Sequence, residues 1–93
     1  MPERWSKPLH EMRVGDLVEE TRYVWNPLAR WMLGMWEEAG KQRYRVVAEF
    51  DIFDRDYPHK VSEIRSQHEG VVVVGYERRI LVLIPEGPFI PKS

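Results

Sequence analysis

The stretch from Asn26 to Gly40 narrows the possible folds of this 93-residue chain more than any other. It has the sequence NPLARWMLGMWEEAG and holds two of the four tryptophans and two of the four methionines. Asn26 can accept a backbone N–H as a helix cap, and Pro27 suits the first helical position because it has no N–H to leave unpaired. Gly40 suits the left-handed residue that ends many helices. These signals predict one amphipathic helix over residues 27–39.

The apolar face of the predicted helix is unusually wide. At 100° per residue its apolar side chains cover roughly 200°, whereas a surface helix needs a stripe of about 100°. In a small domain such a helix is first of all core, but the excess width also favours a protein interface, where Trp and Met are effective contact residues. Gly34 interrupts the polar strip and would admit another backbone. The candidate partner-binding residues are Trp31, Leu33, Gly34, Met35, Trp36 and, outside the helix, Trp5.

The remaining apolar patterns indicate β-strands. Residues 42–53, QRYRVVAEFDIF, alternate apolar and polar side chains with the period of a strand. Residues 71–74 and 80–84 are near-continuous apolar runs, which predicts a hairpin buried on both faces. Residues 9–20 suggest two short strand pieces around a Gly15–Asp16 turn, and residues 21–25 a further strand. Residues 61–69 fit a short helix or an edge strand, and the β flanks favour the strand.

About five short strands with one inserted helix predict an α+β, mainly β fold, either a small antiparallel barrel or a strongly twisted sheet. The segment MRVGDLVEE resembles the opening strand and turn of SH3-like small β-barrels. The segment EIRSQHEGVVVVGYERRILVLIP resembles their later strands, so the resemblance covers about half of the chain. It implies an SH3-like barrel that serves as a binding scaffold. The helix predicted over 27–39 departs from this pattern.

The predicted organisation is a single domain with short extensions. Residues 1–8 are polar, contain two prolines, and are expected to form a flexible N-terminal arm. Trp5 in this arm either lies across an apolar surface or anchors a partner. Residues 9–93 form the globular domain. It ends in a Pro-rich tail over 85–93, in which prolines recur every third residue as in a polyproline II turn.

Charge and composition exclude several classes of protein. The formal net charge is −1, so no global field draws the chain to nucleic acid or to an anionic membrane. The absence of cysteine excludes disulfides and thiolate metal sites and fits a reducing compartment. No apolar run approaches the about 18 residues of a membrane helix, and the N-terminus lacks the apolar core of a secretion signal. A cytoplasmic protein that does not enter membranes is expected.

A local basic surface supports nucleic-acid binding as an alternative function. Arg43 and Arg45 share one strand face, and Arg78 and Arg79 are candidates to lie beside them. Tyr76 could then stack on a base. Glutamates and aspartates occur in the same elements, which favours a mixed, solvated sheet face instead.

Signals for catalysis or a metal are weak. Asp51, Asp54 and Asp56 lack the spacing of an EF-hand, and His59 and His68 form no known ligand motif. No nucleophile elbow or glycine-rich phosphate loop occurs. No cofactor, metal or catalytic residue is therefore predicted, and a metal-dependent enzyme is the weakest alternative.

These observations together predict a non-catalytic protein–protein interaction module. It would dock on a larger protein partner or on a second copy of itself. Its size suits a small phage or bacterial adaptor or inhibitor.

Overall fold

The sheet is built around β2 (Met35–Asp51), a strand of 17 residues. The computed structural model describes residues 4–27 and 35–93. The other strands are β1 (Leu17–Asn26), β3 (Val72–Tyr76), β4 (Arg79–Pro85) and β5 (Ile90–Pro91), and the helix α1 is Tyr57–Gln67. All pairs are antiparallel in the order β1-β2-β4-β3, with β5 also against β2. The sheet curls into a half-barrel, which confirms the predicted mainly β, α+β class.

The alternation predicted for residues 42–53 is present in β2. Gln42, Tyr44 and Val46 are buried, whereas Arg43 between them is exposed. This alternation holds one face of the strand against the core. The strand begins earlier than predicted, at Met35, and ends at Asp51.

The helix predicted over residues 27–39 is wrong for its described C-terminal part. Residues 35–39 belong to β2, and residues 28–34 lie outside the described part of the chain. Trp36 pairs with Trp25 across the β1–β2 hairpin, and Asn26 donates a hydrogen bond from Nδ2 to Glu37 Oε1 at 2.5 Å. Long-range pairing of this kind overrides a local helical pattern, because a cross-strand aromatic pair is itself a stabilising unit.

Gly40 is a strand residue and not a helix end. It pairs with Pro91 of β5, and a Cβ atom built on it would lie 2.9 Å from Pro91 Cα and closer still to Ile90 O. The residue is therefore needed for a close approach between two backbones. Lys92 N donates to Ala39 O at 3.0 Å and extends this contact.

The helix forms where an edge strand was favoured, so that prediction for 61–69 is also wrong. Asp56 occupies the N-cap position and Pro58 lies in the first turn, where proline costs no hydrogen bond. The helix ends at Gln67, and His68 N donates to Ile64 O at 3.1 Å. Among the described residues, no helix has the length and apolar character required to cross a bilayer.

The core has two sides, as the apolar runs predicted. On one face the fully buried side chains are those of Met12, Val18, Tyr44, Val46, Leu81 and Leu83. Ile80 and Val82 alternate with these in β4 and are buried on the other face. That second face carries the Phe50–Ile80 pair, and α1 lies beside it, with Lys60 Nζ 5.7 Å from the centroid of the Phe50 ring.

The N-terminal segment closes the first face. Arg4 O accepts from Thr21 N at 2.6 Å, and Ser6 N donates to Glu19 O at 2.9 Å. The segment thus runs antiparallel along the outer edge of β1, and Trp5 meets the Tyr44 ring edge-on at 5.7 Å. Residues 9–11, predicted as part of a strand, form a 3-10 turn instead.

Candidate functional site

The β1–β2 hairpin extends beyond the rest of the sheet. Pairing of β4 with β2 begins at Tyr44, and the C-terminal segment follows the same edge of β2 as far as Ala39. It does so through Glu86 N to Arg43 O at 2.9 Å, the pairs of β5 with Gly40 and Lys41, and Lys92 N to Ala39 O at 3.0 Å. Within the described part of the chain, residues 35–38 of β2 pair only with β1, and four strand residues span about 13 Å at about 3.3 Å each. The molecule is elongated, with extents of 48 × 27 × 22 Å.

Large apolar side chains are exposed near the end of this extension. Val24, Trp25, Met35 and Trp36 have exposed fractions of 51%, 45%, 52% and 46%. We refer to these four residues as the tip patch. The two tryptophan rings meet edge-to-face with centroids 5.5 Å apart. Because Val24 and Met35 alternate with the tryptophans, the ribbon carries apolar side chains on both faces.

The predicted partner-binding residues fall into three groups. Met35 and Trp36 belong to the tip patch, on a strand and not on a helix. Trp5 is half-buried and packs on the core. Trp31, Leu33 and Gly34 lie outside the described residues. Trp25 was not predicted as a partner-binding residue, because it lies outside the predicted helix. Its position directly before Asn26–Pro27 was the available signal that it ends a strand.

A cleft of about 490 Å³ lies at the base of the extension. Its walls are formed by Arg4, Glu20, Arg22, Tyr23, Trp36, Tyr44 and Val72. Five of these residues come from β1 and β2, while Arg4 comes from the N-terminal segment and Val72 from β3. We refer to this feature as the cleft.

A buried carboxylate organises the polar part of the cleft. Glu20 is only 4% exposed, and it accepts hydrogen bonds from Arg4 Nη2 and, at 3.2 Å, from Arg22 Nε. Arg22 Nη2 also donates to Tyr44 Oη at 2.9 Å. This last bond is the main cause that raises the pKa of Arg22 above its ordinary value, and Glu20 adds to it. Glu20 is therefore a paired buried charge.

The candidate residues predicted from sequence do not include this cluster, although β1 contains a signal for it. Val18, Glu20 and Arg22 occupy every second position of β1, so all three share the core-facing side of the strand. A glutamate followed two residues later by an arginine on a buried face indicates an internal ion pair. Its other partners, Arg4 and Tyr44, are remote in the chain and could not be inferred.

The arginines predicted to bind nucleic acid do not form one surface. Arg79 pairs with Asp51 in the sheet, six residues along β2 from Arg45. Six strand residues correspond to about 20 Å, so Arg43 and Arg45 lie near the middle of β2 while Arg78 and Arg79 lie beside its C-terminal end. The expectation that they neighbour one another is wrong. Tyr76 lies beside Arg79 at the far end, with its ring 6.1 Å from that of His10.

Each of these arginines also has a carboxylate partner. Arg45 holds Glu86 through two bonds of 2.8 and 3.0 Å, which raise the pKa of Arg45 and lower that of Glu86. The other pairs are Arg43–Glu19 at 3.7 Å, Arg78–Asp51 at 3.1 Å and Arg79–Glu49 at 2.6 Å. A phosphate would compete with these carboxylates for the guanidinium groups, and each carboxylate would repel it, so the geometry does not favour a nucleic-acid surface.

The acidic and histidine residues weighed as metal ligands are likewise separated or used in local structure. His59 and His68 stand near opposite ends of α1, about 13 Å apart along a helix of this length. Asp54 accepts from Asp56 N at 2.9 Å and from Lys60 Nζ at 3.3 Å, and these bonds lower its pKa. Over residues 4–27 and 35–93, no three His, Asp or Glu side chains are placed to hold a metal ion.

Comparison with known proteins adds no assignment. No protein-family model, curated protein or solved structure matches the chain. The tip patch and the cleft are therefore the two candidate sites.

Proposed function

We propose that the protein is a non-catalytic protein–protein interaction module, an adaptor or inhibitor that docks on a larger protein or on a second copy through the tip patch. The observation that carries this proposal is the exposure of Val24, Trp25, Met35 and Trp36 at 45–52% in one short stretch of hairpin. Tryptophans and methionines dominate binding hot spots and adaptable contact surfaces.

The shape of the hairpin supports the same function. A two-stranded ribbon is only marginally stable in water unless it packs against something. Two tryptophans of the extension, Trp25 and Trp36, nevertheless remain 45% and 46% exposed although their rings pack on each other. Burial of the exposed half of each side chain by a partner would contribute about 1 kcal/mol per residue, which suits a specific contact.

The scaffold is also proposed to be SH3-like. The curled antiparallel sheet and the tight β3–β4 hairpin support this description. The residues of the resemblance that precede β3, from Glu63 to Gln67, are helical and are a departure from it. The binding proposal depends on the tip patch and not on the name of the scaffold.

The test is substitution of Trp25 by Ala, with Phe53→Ala as the control. Phe53 is 74% exposed in the turn that follows β2, at the end of that strand remote from the tip patch. Sedimentation velocity over a range of concentrations measures self-association, and affinity capture with quantitative mass spectrometry measures binding to a larger protein. We expect Trp25→Ala to weaken whichever association occurs about tenfold or more, because Trp is a frequent hot-spot residue.

The control should retain full association and the thermal midpoint of the parent. Trp25→Ala should stay folded with a midpoint lowered by roughly 5–10 °C, because the ring pair with Trp36 contributes about 0.5–1.5 kcal/mol. Equal association by Trp25→Ala and the parent would contradict the proposal. So would a strict monomer at high concentration from which no protein partner is recovered.

A further inference from the structure

The described lining residues of the cleft carry a net positive charge. Among them, two guanidinium groups, those of Arg4 and Arg22, face one carboxylate, that of Glu20. One positive charge is left over in a partly enclosed space, where charges interact more strongly than in bulk water. A ligand that balances this charge carries one negative charge.

The two arginines have donor capacity beyond the bonds they make to Glu20. A guanidinium has five N–H donors. Within the described residues, Arg4 uses Nη2 toward Glu20, while Arg22 uses Nε toward Glu20 and Nη2 toward Tyr44. About half of each side chain stays exposed, 53% for Arg4 and 50% for Arg22. The remaining N–H groups have the planar fork geometry that matches a carboxylate.

The other walls of the cleft are apolar and mostly aromatic. Trp36, Tyr23, Tyr44 and Val72 complete the lining. Small-molecule sites are of about 300–1,000 Å³ and combine an apolar lining with a few polar groups that fix orientation. The cleft volume of about 490 Å³ falls in that range.

We propose that the cleft binds an aromatic carboxylate, with the carboxylate on the outward N–H groups of Arg4 and Arg22 and the ring against Trp36. The ligand is a free aromatic acid or the terminal carboxylate of a peptide that ends in an aromatic residue. This ligand site goes beyond the docking function proposed above and shares one residue, Trp36, with the tip patch.

The binding test is an NMR titration of the full chain with three probes. These are 3-phenylpropionate, N-acetyl-L-phenylalanine and N-acetyl-L-phenylalanine amide. We expect both carboxylates to shift the indole N–H of Trp36, and the amide, which lacks the charge, to bind at least about tenfold more weakly. Tighter binding of N-acetyl-L-phenylalanine than of 3-phenylpropionate identifies a peptide terminus as the ligand, and the reverse order identifies a free acid.

Charge variants test the assignment to the cleft. Glu20→Gln leaves both guanidiniums unopposed and is expected to tighten carboxylate binding about threefold to tenfold. A merely structural role of Glu20 would not tighten it. Arg4→Gln, at a half-exposed position that leaves Arg22 on Glu20, is expected to weaken binding. Arg43→Gln makes the same change of charge outside the cleft and should leave binding unchanged.

The proposal is overturned if neither carboxylate shifts the Trp36 indole at millimolar concentration, or if the amide binds as well as the acid. It is also overturned if folded Glu20→Gln and Arg4→Gln both bind like the parent. Val24→Ala, on the face of the ribbon opposite to the two tryptophans, is expected to weaken docking and to leave carboxylate binding intact, and Arg4→Gln is expected to leave docking by the tip patch intact. Failure of one proposal is thereby distinguishable from failure of the other.

Discussion

Substitution of Arg79 by Met should destabilise the protein severely, although Arg79 directly follows Arg78 of a surface turn, at the start of β4. The Arg79 side chain is only 22% exposed. It donates to the backbone carbonyls of Leu9 at 3.1 Å and His10 at 3.2 Å, and also to that of Met12. It further donates to Glu49 at 2.6 Å. The guanidinium thus fastens the segment that carries the buried Met12 over one face of the sheet.

The magnitude follows from these bonds. Hydrogen bonds from a charged donor contribute about 1.5–3 kcal/mol when buried, and those near the surface contribute less. With the bonds to Leu9 and Met12 part-buried and the other two exposed, the loss is about 2–3 kcal/mol in the free energy of unfolding. For a domain of this size, that corresponds to a fall in the thermal midpoint of roughly 10–20 °C. Because Met keeps an apolar stem like that of Arg, the loss of stability measures the contribution of the guanidinium group.

The assay is urea unfolding and a thermal scan of Arg79→Met against the matched control Arg78→Met. Arg78 is 70% exposed and bonds one carboxylate, that of Asp51, at 3.1 Å. An exposed ion pair of this kind contributes about 0–1 kcal/mol. Amide exchange should accelerate in residues 9–12 of Arg79→Met alone. Equal and small losses in the two variants would refute the assignment of Arg79 as the fastener of the N-terminal segment.

Two further predictions concern the packing and the charges of the sheet. Gly40→Ala should detach β5, because the added Cβ would overlap Ile90 and Pro91. The Lys92 amide should then lose its protection from hydrogen exchange, and retained protection would contradict the close approach of the two backbones. The free energy of unfolding should fall as the pH drops below about 4.5. Arg79 lowers the pKa of Glu49 and Arg45 lowers the pKa of Glu86, so in this range the unfolded chain binds more protons than the folded one. Glu49→Gln should flatten that slope, measured as urea midpoints from pH 7 to pH 3.

Part of the fold could be predicted from local patterns because those patterns have one interpretation. The period-two alternation around Tyr44 matches only a half-buried strand, and the apolar runs 71–74 and 80–84 match only a hairpin covered on both faces. Their strand character therefore needed no knowledge of the partners. The mainly β class with one helix followed from them.

The helix was misplaced because two segments each fit two conformations. The apolar residues near Trp36 satisfy a helical stripe and a strand equally, and pairing with Trp25 across the hairpin decided between them. In α1 the apolar signal was faint, with Val61 as its buried residue, while Pro58 gave the stronger indication of a helix start. Pro58 thus marks a helix start correctly, whereas Gly40, predicted to end a helix, is a strand residue.

The candidate sites show the same division. The sequence by itself determined that large apolar side chains near Met35 and Trp36 remain exposed, because more of them occur there than one small core can cover. Only the tertiary structure decided that this bulk lies on a projecting ribbon, and that Arg4, Glu20 and Tyr44 meet in one cleft. Strand alternation fixes which side a residue faces, but curvature and long-range pairing fix which remote residues meet there.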